Sequence, residues 1–142
     1  MAELRAIAPR VPVVANLLRP LDVSASGMSV QRRRMEAIAS NIANAETTST
    51  AEGGPYRRRV VRLAPGANGS GVRVTGMEED ARPGAVVYDP SHPDADPNGY
   101  VRYPNVDVTA EMVDLMVTRR AYEANATVFQ VAKAMLRRAL DI

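Results

Sequence analysis

Beginning at Val108, an apolar residue returns at every seventh position of the C-terminal stretch: Val108, Leu115, Tyr122, Phe129 and Leu136. A seam with this period marks a helix that packs along its length against other helices. Asp107 can cap it, Glu111 falls in its first turn, and Arg137 and Arg138 complement the dipole at its end. Run to Leu140, such a helix is about 50 Å long, where a typical one has about 11–12 residues. A second apolar stripe lies off the seam: Val113, Met116, Val117, Ala124, Val128, Val131 and Met135. A helix that is apolar on two sides is buried on two sides.

A second helical pattern runs from about Asp22 to Glu46. Met28, Met35 and Ile42 are spaced by seven, Leu21 precedes them in phase, and Ala25, Ile38 and Ala39 fill in. Gln31 to Arg34 and Glu36 cover the opposite face. About 24 helical residues span about 36 Å. Residues 1–20 are punctuated by proline and read as an irregular arm with room for one short helix. After the helix, "TTSTAEGGPY" breaks the pattern. "YRRRVVRL" (56–63), "GVRVTGM" (71–77), "AVVY" (85–88) and "YVRY" (100–103) then read as short strands between Gly- and Pro-rich turns. Four such strands make a small sheet with a thin apolar face.

The expected fold is mainly α with a small β insertion. Long N- and C-terminal helices pair as a coiled-coil hairpin, with short strands between them. Residues 1–20 form an arm, 21–47 with 106–142 a terminal-helix domain, and 48–105 a β-rich middle domain. The N-terminal helix can cover one stripe of its partner; the other needs neighbouring subunits. Composition agrees. The chain has no Trp, one Phe and 4% aromatic residues, and Ala, Val, Leu and Met supply most of its apolar surface. Such side chains suit helix-on-helix seams better than a thick core. A single chain is therefore not expected to bury a complete core.

Charge and motifs exclude more than they suggest. The net charge is +2, so no global field draws the chain to a polyanion. The absence of Cys rules out disulfides and thiolate metal sites. Pro9, Arg10 and Pro12 interrupt the N-terminal apolar run, and no window approaches a bilayer-spanning length. The chain is thus expected to stay in the cytoplasm or to leave by a route that needs no cleaved signal. "DADPNG" (94–99) opens like a calcium loop, but its twelfth position is Asn105 where a bidentate Glu is needed, so a plain turn is favoured. His92 is the only histidine, and no triad, metal centre or phosphate loop can be assembled around it. No enzyme and no cofactor is expected. "QRRR" (31–34) and "YRRRVVR" (56–62) could meet phosphates and stack a base, but the first cluster fans around a helix, so a solvated or interface role is favoured over nucleic acid.

Two longer stretches carry a resemblance. "ASGMSVQRRRMEAIASNIANAET" resembles the N-terminal signature of bacterial flagellar rod and hook proteins, and "NVDVTAEMVDLMVTRRAYEANATVFQVAKAML" resembles their C-terminal one. "VVYDPSHPDADPNGYVRYPNVDV" and the short length are similar to the proximal-rod members. The resemblance spans about residues 21–142 and implies a structural subunit of the basal-body rod. Its terminal helices would form a coaxial layer of a helical tube that crosses the periplasm as a drive shaft. The implied partners are other rod subunits, further copies of the chain and the flagellar type III export apparatus, with no nucleic acid and no membrane insertion. Another rod or hook axial subunit is the alternative within the family. Members usually begin near Leu21, which leaves residues 1–20 as an extra arm.

The residues expected at the assembly interface follow from the seams and the matched motifs. They are Met28, Gln31, Met35, Ile38, Asn41, Ile42, Asn44 and Asn105, then Met112, Leu115, Met116, Arg120, Tyr122, Glu123, Asn125, Phe129 and Leu136. Met28, Met35, Ile38 and Ile42 are expected to face Leu115, Tyr122, Phe129 and Leu136. Asn41, Asn44 and Asn125 stand at the family's motif positions and, if buried, would fix register, because a slip would strand their amides. Arg120 and Glu123 are candidates for ion pairs between subunits.

Overall fold

A computed structural model of the chain describes residues 11–141. Helix α1 spans Val11–Ala43, strands β1 Arg59–Pro65 and β2 Val72–Glu79 follow, then β3 Val86–Tyr88 and β4 Tyr100–Arg102, and helix α2 spans Val108–Leu140. Two long helices thus bracket a small antiparallel strand region, and α2 occupies the stretch that its seven-residue period predicts.

Helix α1 covers Val11–Ala43, so residues 11–20 are helix where the sequence predicts an irregular arm. Residues 1–10 of that expected arm lie outside the described residues. The surroundings of Pro20 explain the difference. Pro20 lies inside the helix and leaves the Asn16 carbonyl without its usual donor, but Asn16 is exposed to water. Ala15, Leu17, Leu18 and Arg19 are strong helix formers and carry the chain across. The buried Ser24 hydroxyl donates to the Pro20 carbonyl at 2.7 Å.

The helix ends where Asn44 and two glycines take over. The Asn44 side chain donates to the Ser40 carbonyl, and Gly53 and Gly54 adopt φ of +86° and +76°, which other residues reach only at a cost. Tyr56 N–H then bonds the Thr47 carbonyl and turns the chain back along α1.

The four strands form two separate ribbons, not one small sheet: β1 pairs only with β2, and β3 only with β4. The segment between β2 and β3 contains Pro83, which cannot donate to a ladder, and Gly84, whose Cα lies against the backbone of Tyr103 and Pro104. The register of β1–β2 shifts between Arg62 and Leu63, a bulge that adds twist. In the connecting loop Asn68 takes the left-handed conformation, φ +59°, which asparagine tolerates. The loop between β3 and β4 is held by its own carboxylates. Asp96 accepts the N–H groups of Asn98 and Tyr100, and Asp89 accepts the N–H and hydroxyl of Ser91. Within the calcium-like motif Asp96 therefore serves as a turn cap, while Asp94 accepts the Thr48 hydroxyl.

Helix α2 starts where the sequence places its cap. The Asp107 carboxylate accepts the N–H groups of Thr109 and Ala110. The two helices touch at Asn41 with Glu111 and at Gly27 with Asn125, and Leu17 and Val131 line one cavity between them. Buried apolar side chains are few: Val30, Ala37 and Ile38 on α1, with Tyr56 and Val101 from the middle segment.

Candidate assembly interface

The inward positions of α2 repeat at alternating steps of four and three: Glu111, Leu115, Thr118, Tyr122, Asn125, Phe129, Ala132 and Leu136, all buried or half-buried. On α1 the matching positions include Ser24, Gln31, Ile38 and, one step round, Met28, Met35 and Ile42. Leu115, Tyr122, Phe129 and Leu136 are half-buried on this face. Val108 is not; it opens the helix and is exposed. Three of the eight inward α2 residues are polar, so the seam mixes packing with hydrogen bonding.

At the strand end of the helices, that polarity is gathered into one buried network. Asn41 is fully buried, and its amide uses its whole bonding capacity. Its Nδ2 donates to the Arg59 carbonyl at 2.9 Å and to Glu111 Oε2 at 3.1 Å. Its Oδ1 accepts Arg59 N–H at 2.8 Å and the Tyr56 hydroxyl at 3.0 Å. Glu111, 1% exposed, also takes the Arg58 guanidinium on Oε1. Arg58 reaches Asp114 at 3.8 Å, and its own N–H donates to Asn105 Oδ1. Helix α1, the 56–59 segment and α2 are tied together by these bonds, and those that Glu111 accepts from Asn41 and Arg58 are charge-assisted.

The other motif asparagines behave differently. Asn44 is half-buried and bonds the Ser40 carbonyl and Thr47 within its own turn. Asn125 is half-buried, donates to the Ala121 carbonyl of its own helix, and packs against Gly27. A Cβ on Gly27 would come within 2.8 Å of Asn125 Nδ2, so glycine lets the helices approach there. Gln31 Oε1 and Thr118 Oγ1 are buried without a partner among the described residues.

Spacing alone does not reveal the roles of Glu111, Arg58 and Tyr56. Glu111 suits the helix dipole, yet it also lies four residues before Leu115 and so falls on the seam itself. A carboxylate in phase with a buried stripe needs a buried partner. The "YRRR" cluster supplies it, and its members divide the contacts. Tyr56 bonds Asn41, Arg58 bonds Glu111, and the Arg59 guanidinium lies over the Tyr56 ring at 5.7 Å.

The outward side of α2 is open. Met112, Val113, Met116 and Val117 are exposed near its start, and Val128, Val131 and Met135 near its end, Met116 at 60% and Met135 at 66%. Toward the far ends of the helices, a cavity of about 470 Å³ is lined by Leu17, Pro20, Val128, Val131, Met135 and Leu136 among others. This stripe is large for an isolated soluble chain, which rarely leaves contiguous apolar surface uncovered. Glu123 pairs with Arg119 at 3.0 Å within its own helix, while Arg120 is exposed without an ion pair among the described residues. No described helix is long and apolar enough to cross a membrane.

Comparison with known proteins gives this geometry a class. Residues 21–49 match the family described as flagella basal body rod protein, and residues 98–142 match the flagellar basal body rod FlgEFG protein C-terminal family. These segments hold the Asn41 half and the Glu111 half of the buried network, and the chain belongs to the flagellar basal-body rod proteins, a structural family. Among its relatives are the flagellar basal-body rod protein FlgC of Borreliella burgdorferi, 42% identical over 89% of this chain and 97% of the relative, and that of Bacillus subtilis, 42% identical over 86% and 95%. The FlgC of Salmonella typhimurium is 40% identical over 89% of this chain and 97% of its own.

Proposed function

We propose that the protein is a structural subunit of the proximal rod of the flagellar basal body and polymerises through its terminal helices into the drive shaft. The observation that carries this reading is the outward apolar stripe of α2, from Met112 to Met135, on a helix already occupied on its other side. In this reading α1 and α2 pair as an antiparallel coiled-coil hairpin. The contacts support it, since residue numbers rise on one helix as they fall on the other: 27 with 125, 41 with 111. The helical body comprises α1 and α2, and residues 48–105 form a middle domain outside the tube.

Each outward side chain that becomes fully covered in the assembly contributes about 1.5–3 kcal/mol. Met112 and Met116 belong to this outer face, and exposed Arg120 is free to pair across subunits. Met28, Gln31, Met35, Ile38, Ile42, Leu115, Tyr122, Phe129 and Leu136 form the inner seam that holds the hairpin straight. Asn41 fixes its register, and Asn44, Asn105 and Asn125 brace the backbone beside it. Membership of the rod family supports export through the flagellar type III apparatus and a final position in the rod across the periplasm.

The test is a pair of outward substitutions, Met116→Asp with Val131→Asp. The monomer should keep its circular dichroism and be exported normally, while rods and swimming are lost. Wild-type swimming with both aspartates in place would exclude this face as the interface. Leu115→Asp or Phe129→Asp, on the inner seam, should abolish assembly while leaving export intact.

A further inference from the structure

The helical faces account for the terminal segments, but they leave the middle segment with a second concave surface. A cavity of about 430 Å³ lies at the junction of the two ribbons, and Arg57, Arg82, Arg102, Tyr103 and Asn105 are among its lining residues. Its one carboxylate, Asp80, is already taken. Arg82 Nε donates to both its oxygens at 3.0 Å, and those bonds hold the Asp80 carboxyl down at about 2. Arg57 and Arg102 are exposed and have no acidic partner among the described residues. Asn105 adds an orphan donor. Its Oδ1 accepts Arg58 N–H, which fixes the amide orientation, and the buried Nδ2 is left without an acceptor.

The surface next to the cup is apolar and uncovered. Val86 stands opposite Arg102, and Tyr88 opposite Tyr100, so these four side chains share one face of the β3–β4 ribbon. Val86 is 58% exposed and Tyr88 64%. Arginine and tyrosine beside a concave site are the residue types that carry protein interfaces.

We propose that this cup is a docking site for an extended segment of a neighbouring protein, one that places a carboxylate between Arg57 and Arg102 and an aliphatic side chain on Val86 and Tyr88. Charge complementarity selects the occupant: Arg57 and Arg102 line the cup without an acidic partner among the described residues, and its one carboxylate, Asp80, is already paired with Arg82. The chain's own acidic loop is a poor candidate, because Asp89, Asp94 and Asp96 already accept hydrogen bonds from Ser91, Thr48 and Asn98. The site is separate from the helical stripe and gives the middle segment a contact of its own.

The test uses the full chain, labelled for NMR, and two probes: acetyl-Leu-Glu-Leu-amide and its glutamine counterpart. The acidic probe should move the Asn105 side-chain amide and the Arg57 and Arg102 Nε–H signals saturably, with a dissociation constant on the order of millimolar. Arg57→Ala with Arg102→Ala should weaken binding about tenfold or more, while Arg62→Ala, outside the cup, should change nothing. Met116→Asp with Val131→Asp should leave probe binding intact, which separates this result from the fate of helical assembly. Equal shifts with the glutamine probe, shifts elsewhere, or none at all would overturn the proposal. Movement of the cup signals on simple dilution would assign the cup to a second copy of the chain and overturn it as well.

Discussion

The two ends of the helical pair solve the same problem in opposite ways. Where α1 ends and α2 begins, the buried Asn41, Glu111 and Tyr56 and the half-buried Arg58 close the structure with polar groups paired within the chain. Where α1 begins and α2 ends, Leu17, Val128, Val131 and Met135 remain exposed around a cavity of about 470 Å³. The first end is specified internally, because a buried amide and a buried carboxylate tolerate one register only. The second end leaves its apolar surface exposed, and the outward face of α2 does the same beside the first, where Met112 and Met116 stand uncovered.

Substitutions can break this contrast, and the largest effect belongs to the closed end. Glu111→Ala strands the partly buried Arg58 and Asn41, and should cost about 3–5 kcal/mol in urea unfolding. Arg58→Leu in the same chain should recover part of that loss; no recovery would mean that the pair is not coupled. Gly27→Ala, at the middle of the pair, should cost about 1–3 kcal/mol by pushing on Asn125, and Asn125→Ala should relieve it. A neutral single variant would show that the helices are not in close contact there.

At the open end the stability effect should nearly vanish. Val131→Ser should shift the monomer by no more than about 0.5 kcal/mol while weakening assembly. A large loss of monomer stability would mean that Val131 is part of a private core. The smallest effect concerns the middle segment. The Asp80 carboxyl is held at about 2 by Arg82, below its ordinary value, so whatever it contributes is present above pH ~4 and fades as pH falls toward 2. In Arg82→Ala, NMR titration should find Asp80 back in the usual carboxylate range. An unchanged Asp80 would remove Arg82 as the cause.

How much of this is legible in the sequence follows the same division. The seven-residue period locates α2 and its inward residues from Leu115 to Leu136, because side-chain spacing on a long helix leaves little choice. The extent of α1 is not legible, since Pro20 carries a stop signal that the exposed carbonyl of Asn16 renders harmless. The pairing of the strands into two ribbons is hidden for a different reason. Strands of three residues, as β3 and β4 are, hold too little pattern to choose partners. The buried network is half visible. Asn41 stands out through its motif, whereas Glu111 reads only as a first-turn acid; their bond spans 70 residues, and nothing local joins them.

Methionine oxidation offers the most direct measurement of the central claim, because the chain carries methionines on both faces. In the isolated chain Met112, Met116 and Met135 should react quickly with dilute peroxide, and Met28 and Met35 slowly. In rods purified from cells, the three outward methionines should become protected by an order of magnitude or more, with little change at Met28 and Met35. Outward methionines that oxidise as fast in assembled rods as in the free chain would show that α2 turns this stripe to water, and the account would fail.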